Sequence, residues 1–279
     1  MTTANTSRQS VEVWRPRIIF FDLDDTLIQE DPLDDAIFSR LVGESLPGRR
    51  FDAATFIRAV RAAADELWQQ SGQVAYCRQI GTGAIEGLYG SYEGEGDCLI
   101  GLRHFIRVDR YRERVFERGL TAIGVDDPAL AATLAAAFVA ERNARQVLYP
   151  DARPALERLA ASFRLGLITN GVARIQRHKL AGSGLASFFD PVVVSGELGV
   201  GKPDRAIYEH ALQLAQVAAS DALMVGNNLR NDVEGAENAG LRAVWVDRVG
   251  ETLPGSPQSY QTVASLAELL PEVTSNQGS

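Results

Sequence analysis

Short runs of adjacent apolar residues, each closed by polar or glycine-rich punctuation, mark the two ends of this chain. One leads into FFDLDDTL at residues 20–27, a second spans Leu165 to Ile168, and a third enters MVGNNLRND at residues 224–232. Runs of this length predict buried strands of an open α/β sheet. The middle of the chain has a different rhythm. Residues 52–70 place Phe56, Val60, Ala63, Ala64 and Leu67 at helical spacing, and residues 127–145 do the same with Leu130, Leu134, Phe138 and Val139. No strand run competes there. The pattern predicts an α/β protein whose sheet core takes residues 13–30 and 146–279, with a helical module over residues 31–145 inserted just after the first strand. Residues 1–12 are expected to form a frayed tail.

The chemistry sits where the predicted strands stop. In FFDLDDTL, Asp22 and Asp24 are two residues apart, a spacing that sends both side chains to one side of a strand. A carboxylate can attack as a covalent nucleophile. A second one beside it can protonate a leaving oxygen and then activate water. A divalent cation would offset the repulsion between them, and Mg²⁺ prefers such hard oxygen ligands. A polar turn after a buried strand is the plainer reading of the same residues.

Three further segments agree with the first. ITNG, residues 168–171, puts Thr169, Asn170 and Gly171 at a second strand end, where a hydroxyl, an amide and a backbone N–H can hold phosphate oxygens. GVGKPD, residues 199–204, sets Lys202 before Pro203, which is expected to open a helix through Ile207, Ala211 and Leu214. MVGNNLRND supplies another carboxylate, Asp232. Each is also an ordinary turn taken alone. Together they place polar chemistry at the carboxyl ends of strands, where open α/β sheets bind ligands.

In this order the four segments resemble the motifs of the haloacid dehalogenase (HAD) superfamily, over roughly the first 30 and last 135 residues. The stretch from ITNG to KPD and the GAENAGLRAVWV segment are most similar to the branch that contains N-acylneuraminate-9-phosphatase and the pyrimidine 5′-nucleotidases. The resemblance implies a Rossmann-like doubly wound parallel sheet. It implies Asp22 as nucleophile, Asp24 as acid/base, Thr169 and Asn170 as phosphate ligands, and Lys202 as the charge that stabilises the transferring group. Mg²⁺ would use Asp22, the backbone carbonyl of Asp24, and the fourth motif through Asn227 and Asp232. The inserted helical module stands where the family carries a cap that closes over the site. One departure matters. The fourth motif usually begins Gly-Asp, and here the position is Asn227, whose amide oxygen can coordinate but brings no charge. A weaker metal site is expected, with Asp232 supplying the remaining charge.

Composition narrows the partners. The net charge is −8 and the pI about 5.0, which argues against a nucleic-acid or anionic-membrane surface. No stretch approaches the apolar length needed to span a bilayer, and the polar start lacks a signal-peptide core. Cys77 and Cys98 have no metal-ligand spacing, so a reducing cytoplasm is the expected setting. Charge leaves the oligomeric state undecided.

The expected activity is Mg²⁺-dependent hydrolysis of a small phosphorylated metabolite, such as a sugar phosphate, nucleoside monophosphate or sugar-acid phosphate, through an aspartyl-phosphate. The alternatives are a phosphomutase or other reaction on the same scaffold, or a ligand-binding protein, which Asn227 makes thinkable. The residues between 31 and 145 do not name the substrate. Six arginines in residues 102–119 can be a grip for a carboxylate or phosphate, or a solvated face laced with ion pairs. GTGAIEGLYG, residues 81–90, reads as a substrate loop, a hinge or a turn, and Trp68 and Tyr89 as core or interface residues.

Overall fold

A computed structural model describes residues 14–48, 50–250 and 260–269. The tail expected over residues 1–12 lies outside them. The strands Ile18–Phe21 (β1), Arg164–Thr169 (β2), Val192–Val194 (β3), Ala222–Gly226 (β4), Arg242–Val246 (β5) and Gln261–Val263 (β6) form one sheet in the order β3-β2-β1-β4-β5-β6. Every pairing is parallel. Seven helices follow β1 before the chain returns to the sheet layer: Asp31–Ser45 (α1), Ala53–Trp68 (α2), Val74–Ile80 (α3), Ala84–Tyr89 (α4), Asp97–Arg107 (α5), Tyr111–Ala122 (α6) and Pro128–Ala144 (α7). Helices Ala152–Ala160 (α8), Ala173–Ser183 (α9), Ser195–Leu198 (α10), Arg205–Ala215 (α11) and Gly235–Asn238 (α12) accompany the later strands.

The near-continuous apolar strands are explained by helices on both faces of the sheet. Side chains alternate along β1, so Ile19 and Phe21 pack with Ala155, Leu156 and Leu159 of α8, while Ile18 and Phe20 pack with Ile207, Tyr208 and Ala211 of α11. All four β1 residues are fully buried, each contributing roughly 1.5–3 kcal/mol relative to exposure. This is a Rossmann-like α/β core. β2 and β3 lie to one side of β1, and the chain then crosses to place β4 on the other side. Such a reversal leaves a crevice at the carboxyl ends of the central strands.

Helices α1–α7 build an apolar cluster of their own. The ring centroids of Phe38 and Phe138 stack at 4.4 Å, and Phe116 meets Phe38 edge-on at 5.9 Å. In α2 the expected stripe is realised, with Phe56, Val60, Ala63, Ala64 and Leu67 all buried. In α7, Leu134 and Phe138 are buried and Leu130 and Val139 half-buried. Asp52 and Asp127 cap these two helices by accepting backbone N–H groups of their first turns. Val172 and Ile175, at the start of α9, join this cluster and tie it to the sheet.

Two local expectations are refined. The helix expected to open at Pro203 begins at Arg205, because the Asp204 carboxylate accepts the Ala206 N–H at 2.9 Å and caps it there. The arginine-rich segment divides into α5 and α6. Arg107, Arg110 and Arg118 pair with Glu93, Glu117 and Glu66, and Arg103 and Arg112 donate to backbone carbonyls. No helix among the described residues is long and apolar enough to cross a membrane.

Candidate active site

Asp22 leaves the sheet at the end of β1, its N–H still bonded to the Val225 carbonyl of β4 at 2.9 Å. Lys202 reaches it from the loop before α11. The ammonium lies 2.6 Å from Asp22 Oδ1 and 2.6 Å from Asp232 Oδ1, and the three residues are 7%, 5% and 1% exposed. Asp232 Oδ2 accepts the Asn228 N–H at 2.9 Å. Glycine is needed at the end of β4 for this contact, since a Cβ on Gly226 would fall 2.3 Å from the Asp232 carboxylate. Burial pushes the Asp232 carboxyl up to about 6 against the pull of Lys202. Burial also opposes the Lys202 charge, but Asp22 and Asp232 outweigh it and the ammonium titrates above its ordinary value.

Asp24 faces a second cluster. Its Oδ2 accepts from Gln176 Nε2 at 2.8 Å, and Lys179 Nζ lies 3.1 Å from both of its oxygens. Desolvation in the cleft pushes the Asp24 carboxyl up to about 8; Lys179 opposes the rise, while Glu30, Glu86 and Asp22 add to it. Lys179 also contacts Glu30 at 3.0 Å and Glu86 at 3.4 Å. Glu30 is held in turn by Arg142 and by the Tyr89 hydroxyl at 2.8 Å. Thr169, at the end of β2, is 1% exposed, and its hydroxyl accepts from Gln176 Nε2 at 2.6 Å.

The rest of the TNG motif is used differently from the sequence reading. Asn170 donates from Nδ2 to the Lys202 carbonyl at 2.8 Å and accepts the Lys202 N–H on Oδ1 at 2.8 Å. Its amide fixes the lysine loop. The Gly171 N–H goes to Ser195 Oγ at 2.8 Å and to the Ile80 carbonyl at 3.0 Å. A close approach also holds α3 here: Gly81 has φ +71°, and a Cβ on it would lie 2.4 Å from the Asn170 side chain.

Asn227 sits at the end of β4 beside Thr26. The Thr26 hydroxyl lies 3.1 Å from Asp22 Oδ2 and 3.2 Å from Asn227 Oδ1, and it accepts the Asn227 N–H at 3.0 Å. The Asp22 carboxylate and the Asn227 amide oxygen, at the ends of the two central strands, therefore both approach the Thr26 hydroxyl. Among the described residues no group of three or more His, Cys, Asp or Glu side chains forms a metal cage. The Asp22 and Asn227 donors are hard oxygens, a set that fits Mg²⁺, which keeps waters and takes one or two carboxylates.

Above these groups opens a cavity of about 480 Å³, walled by Asp24, Asp65, Glu86, Tyr89, Asn170 and Lys179 among others. Glu86 and Tyr89 come from the glycine-rich segment, which thus forms part of the wall. Sequence reasoning missed Thr26, Gln176, Lys179, Glu30, Glu86 and Arg142. The available signal was the three-residue spacing of Gln176 and Lys179 just beyond TNG, which puts both on one helix face.

Comparison with known proteins agrees with this geometry. A sequence model of the haloacid dehalogenase-like hydrolases matches residues 16–240. A phosphoserine phosphatase of Thermus thermophilus is 42% identical over 83% of this chain and 89% of its own length. The N-acylneuraminate-9-phosphatase of Mus musculus is 28% identical over 91% of this chain and 92% of its own. The crystal structure of the HAD-hydrolase YfnB from Bacillus subtilis, 23% identical, superposes with a TM-score of 0.61 over 93% of this chain and 99% of that one, a likeness of fold. With the catalytic-type side chains gathered near the strand ends and the match spanning sheet and helical layer alike, the chain belongs to the haloacid dehalogenase-like hydrolases.

Proposed function

We propose that this protein hydrolyses a small phosphomonoester by a Mg²⁺-dependent route through an aspartyl-phosphate on Asp22. The observation that carries the reading is the juxtaposition of Asp22, Lys202 and Asp232 at 2.6 Å contacts, with Asp24 two residues on from the nucleophile. An Asp22 oxygen attacks phosphorus as the bond to the leaving oxygen breaks, and the Asp24 carboxyl gives that oxygen its proton. A water then attacks the phosphoryl group on Asp22, passes its proton to the Asp24 carboxylate, and releases inorganic phosphate and free Asp22. Lys202 holds the attacking carboxylate and offsets negative charge as it develops. The Thr169 hydroxyl would meet a phosphate oxygen. Asp22, the Asp24 carbonyl, Asn227 and Asp232 would hold Mg²⁺, which when bound neutralises phosphate charge. Helices α1–α7 are read as the cap, within residues 31–145, that encloses the leaving group in the cavity above Asp24.

The 42% identical relative is named a phosphoserine phosphatase, so phosphoserine heads the substrate panel, followed by sugar phosphates, nucleoside monophosphates and sugar-acid phosphates. The test is phosphate release by the purified chain with and without Mg²⁺, beside Asp22→Asn. Mg²⁺-dependent release that disappears in the variant is the expected outcome. Normal rates from Asp22→Asn would overturn the mechanism.

A further inference from the structure

The Asp24 carboxylate is gripped from one face of α9. Gln176 and Lys179, three residues apart, are each 1% exposed, and between them they place three donor contacts on the two Asp24 oxygens. The grip is itself braced. Lys179 is backed by Glu30 at 3.0 Å and Glu86 at 3.4 Å, the second from α4, and it lies 5.7 Å from the centre of the Tyr89 ring. Gln176 uses the same amide nitrogen to bond Thr169 Oγ1 at 2.6 Å. One side chain thus ties the strand end of β2 to the loop after β1. A lysine this deeply buried persists only with such partners, and its contacts leave Asp24 little freedom about its side-chain torsions.

That restraint has a chemical use. Proton transfer to a leaving oxygen needs a donor within hydrogen-bond reach, and a misplacement of about 1 Å costs on the order of 100-fold in rate. We infer that Gln176 and Lys179 are positioning residues that aim the Asp24 carboxyl at the leaving-group oxygen, with Glu86 of the helical layer bracing Lys179 from behind. The inference rests on the phosphatase reading above. It assigns the setting of the acid/base to α9 and to the layer that covers the cavity, and neither residue needs to touch the substrate.

The test compares leaving groups. In the presence of Mg²⁺, kcat/KM is measured for 4-nitrophenyl phosphate, phenyl phosphate and O-phosphoserine, using the full-length wild type, Gln176→Leu, Lys179→Met and the reference Asp24→Asn. An ester with a good leaving group needs little protonation, whereas phenyl and alkyl esters need it most. In both α9 variants the loss on phenyl phosphate should exceed the loss on 4-nitrophenyl phosphate by on the order of tenfold or more, in the same sense as Asp24→Asn. KM should change by less than about threefold. Equal losses on all three esters would overturn the inference and leave both residues with a purely structural role. Gln176→Leu keeps the side-chain size and the charge balance, so it decides the matter should Lys179→Met fail to fold. Wild-type protein silent on every ester would instead overturn the phosphatase reading, and this inference with it.

Discussion

Arg142→Met probes the junction between the helical layer and the sheet. The Arg142 side chain has no solvent exposure; its Nε donates to Asp34 Oδ1 at 2.7 Å, its Nη2 pairs with Glu30, and its guanidinium lies 4.5 Å from the centre of the Tyr89 ring. Methionine preserves most of the aliphatic stem and removes the charge. Glu30 retains Lys179 at 3.0 Å, so the stranded group is chiefly Asp34, whose side chain is 2% exposed. Breaking a buried pair in this way costs about 3–5 kcal/mol, a large share of the roughly 5–15 kcal/mol that stabilises a domain. At about 2–4 °C per kcal/mol, the melting temperature should fall by roughly 6–20 °C. The loss should also depend on pH. Burial pushes the Asp34 carboxyl up to about 7 while Arg142 pulls it down. A folded pKa above the ordinary value contributes stability in acid that is lost as pH rises through about 7. Without Arg142 the folded value climbs further, so the deficit should widen between about pH 5.5 and about pH 8. Urea unfolding followed by far-UV circular dichroism at both pH values measures it, with an unchanged m-value as the control. A variant within about 1 kcal/mol of wild type at the higher pH, or a deficit larger at the lower pH, would refute the reasoning.

Three further outcomes are expected. Asn227→Asp adds a charged ligand where the Asp22 and Asn227 oxygens both approach the Thr26 hydroxyl and should tighten the Mg²⁺ midpoint for phosphate release by on the order of tenfold; an unchanged midpoint would show that the amide does not face the cation. Gly226→Ala forces a Cβ within 2.3 Å of the Asp232 carboxylate, so phosphate release should nearly vanish and urea titration should show a loss of about 1–3 kcal/mol; wild-type activity would mean that Asp232 has no role. Cys77 is 1% exposed and burial pushes its thiol up to about 12, whereas Cys98 is only half-buried. Iodoacetamide at about pH 8 should therefore add one group to the folded protein by intact mass, on Cys98, and rapid labelling of Cys77 would contradict its burial.

The residues legible in advance share one property: each sits in a short segment that ends an apolar run. Asp22, Thr169 and Asn227 stand at or just beyond strand ends, because a parallel sheet aligns all its carboxyl ends on one edge; Lys202, expected at a strand end, instead follows α10, and Asp232 lies six residues beyond β4. The helical stretches were legible for a similar reason, since the period of the apolar residues fixes which face is buried. Lys179, Gln176, Glu30, Glu86 and Arg142 gave no comparable signal. They look like polar helix residues until the layers pack, and the nearest partners of Lys179 lie 93 to 155 residues away in sequence.

Asn170 and Gly171 show the same limit from the other side. The motif offers an amide and a backbone N–H to a phosphate, yet the folded chain gives them to the Lys202 backbone, Ser195 Oγ and the Ile80 carbonyl. Competition among partners for a donor depends on which groups arrive within about 3 Å, and that is a property of packing. Periodicity and strand-end chemistry, both short-range, let the sequence by itself determine the α/β core, the helical layer and the sheet edge near which Asp22, Thr169 and Asn227 gather. The tertiary structure alone decided the buried charge network around Asp24, because burial makes each unpaired charge costly and only distant segments supply the compensating partners.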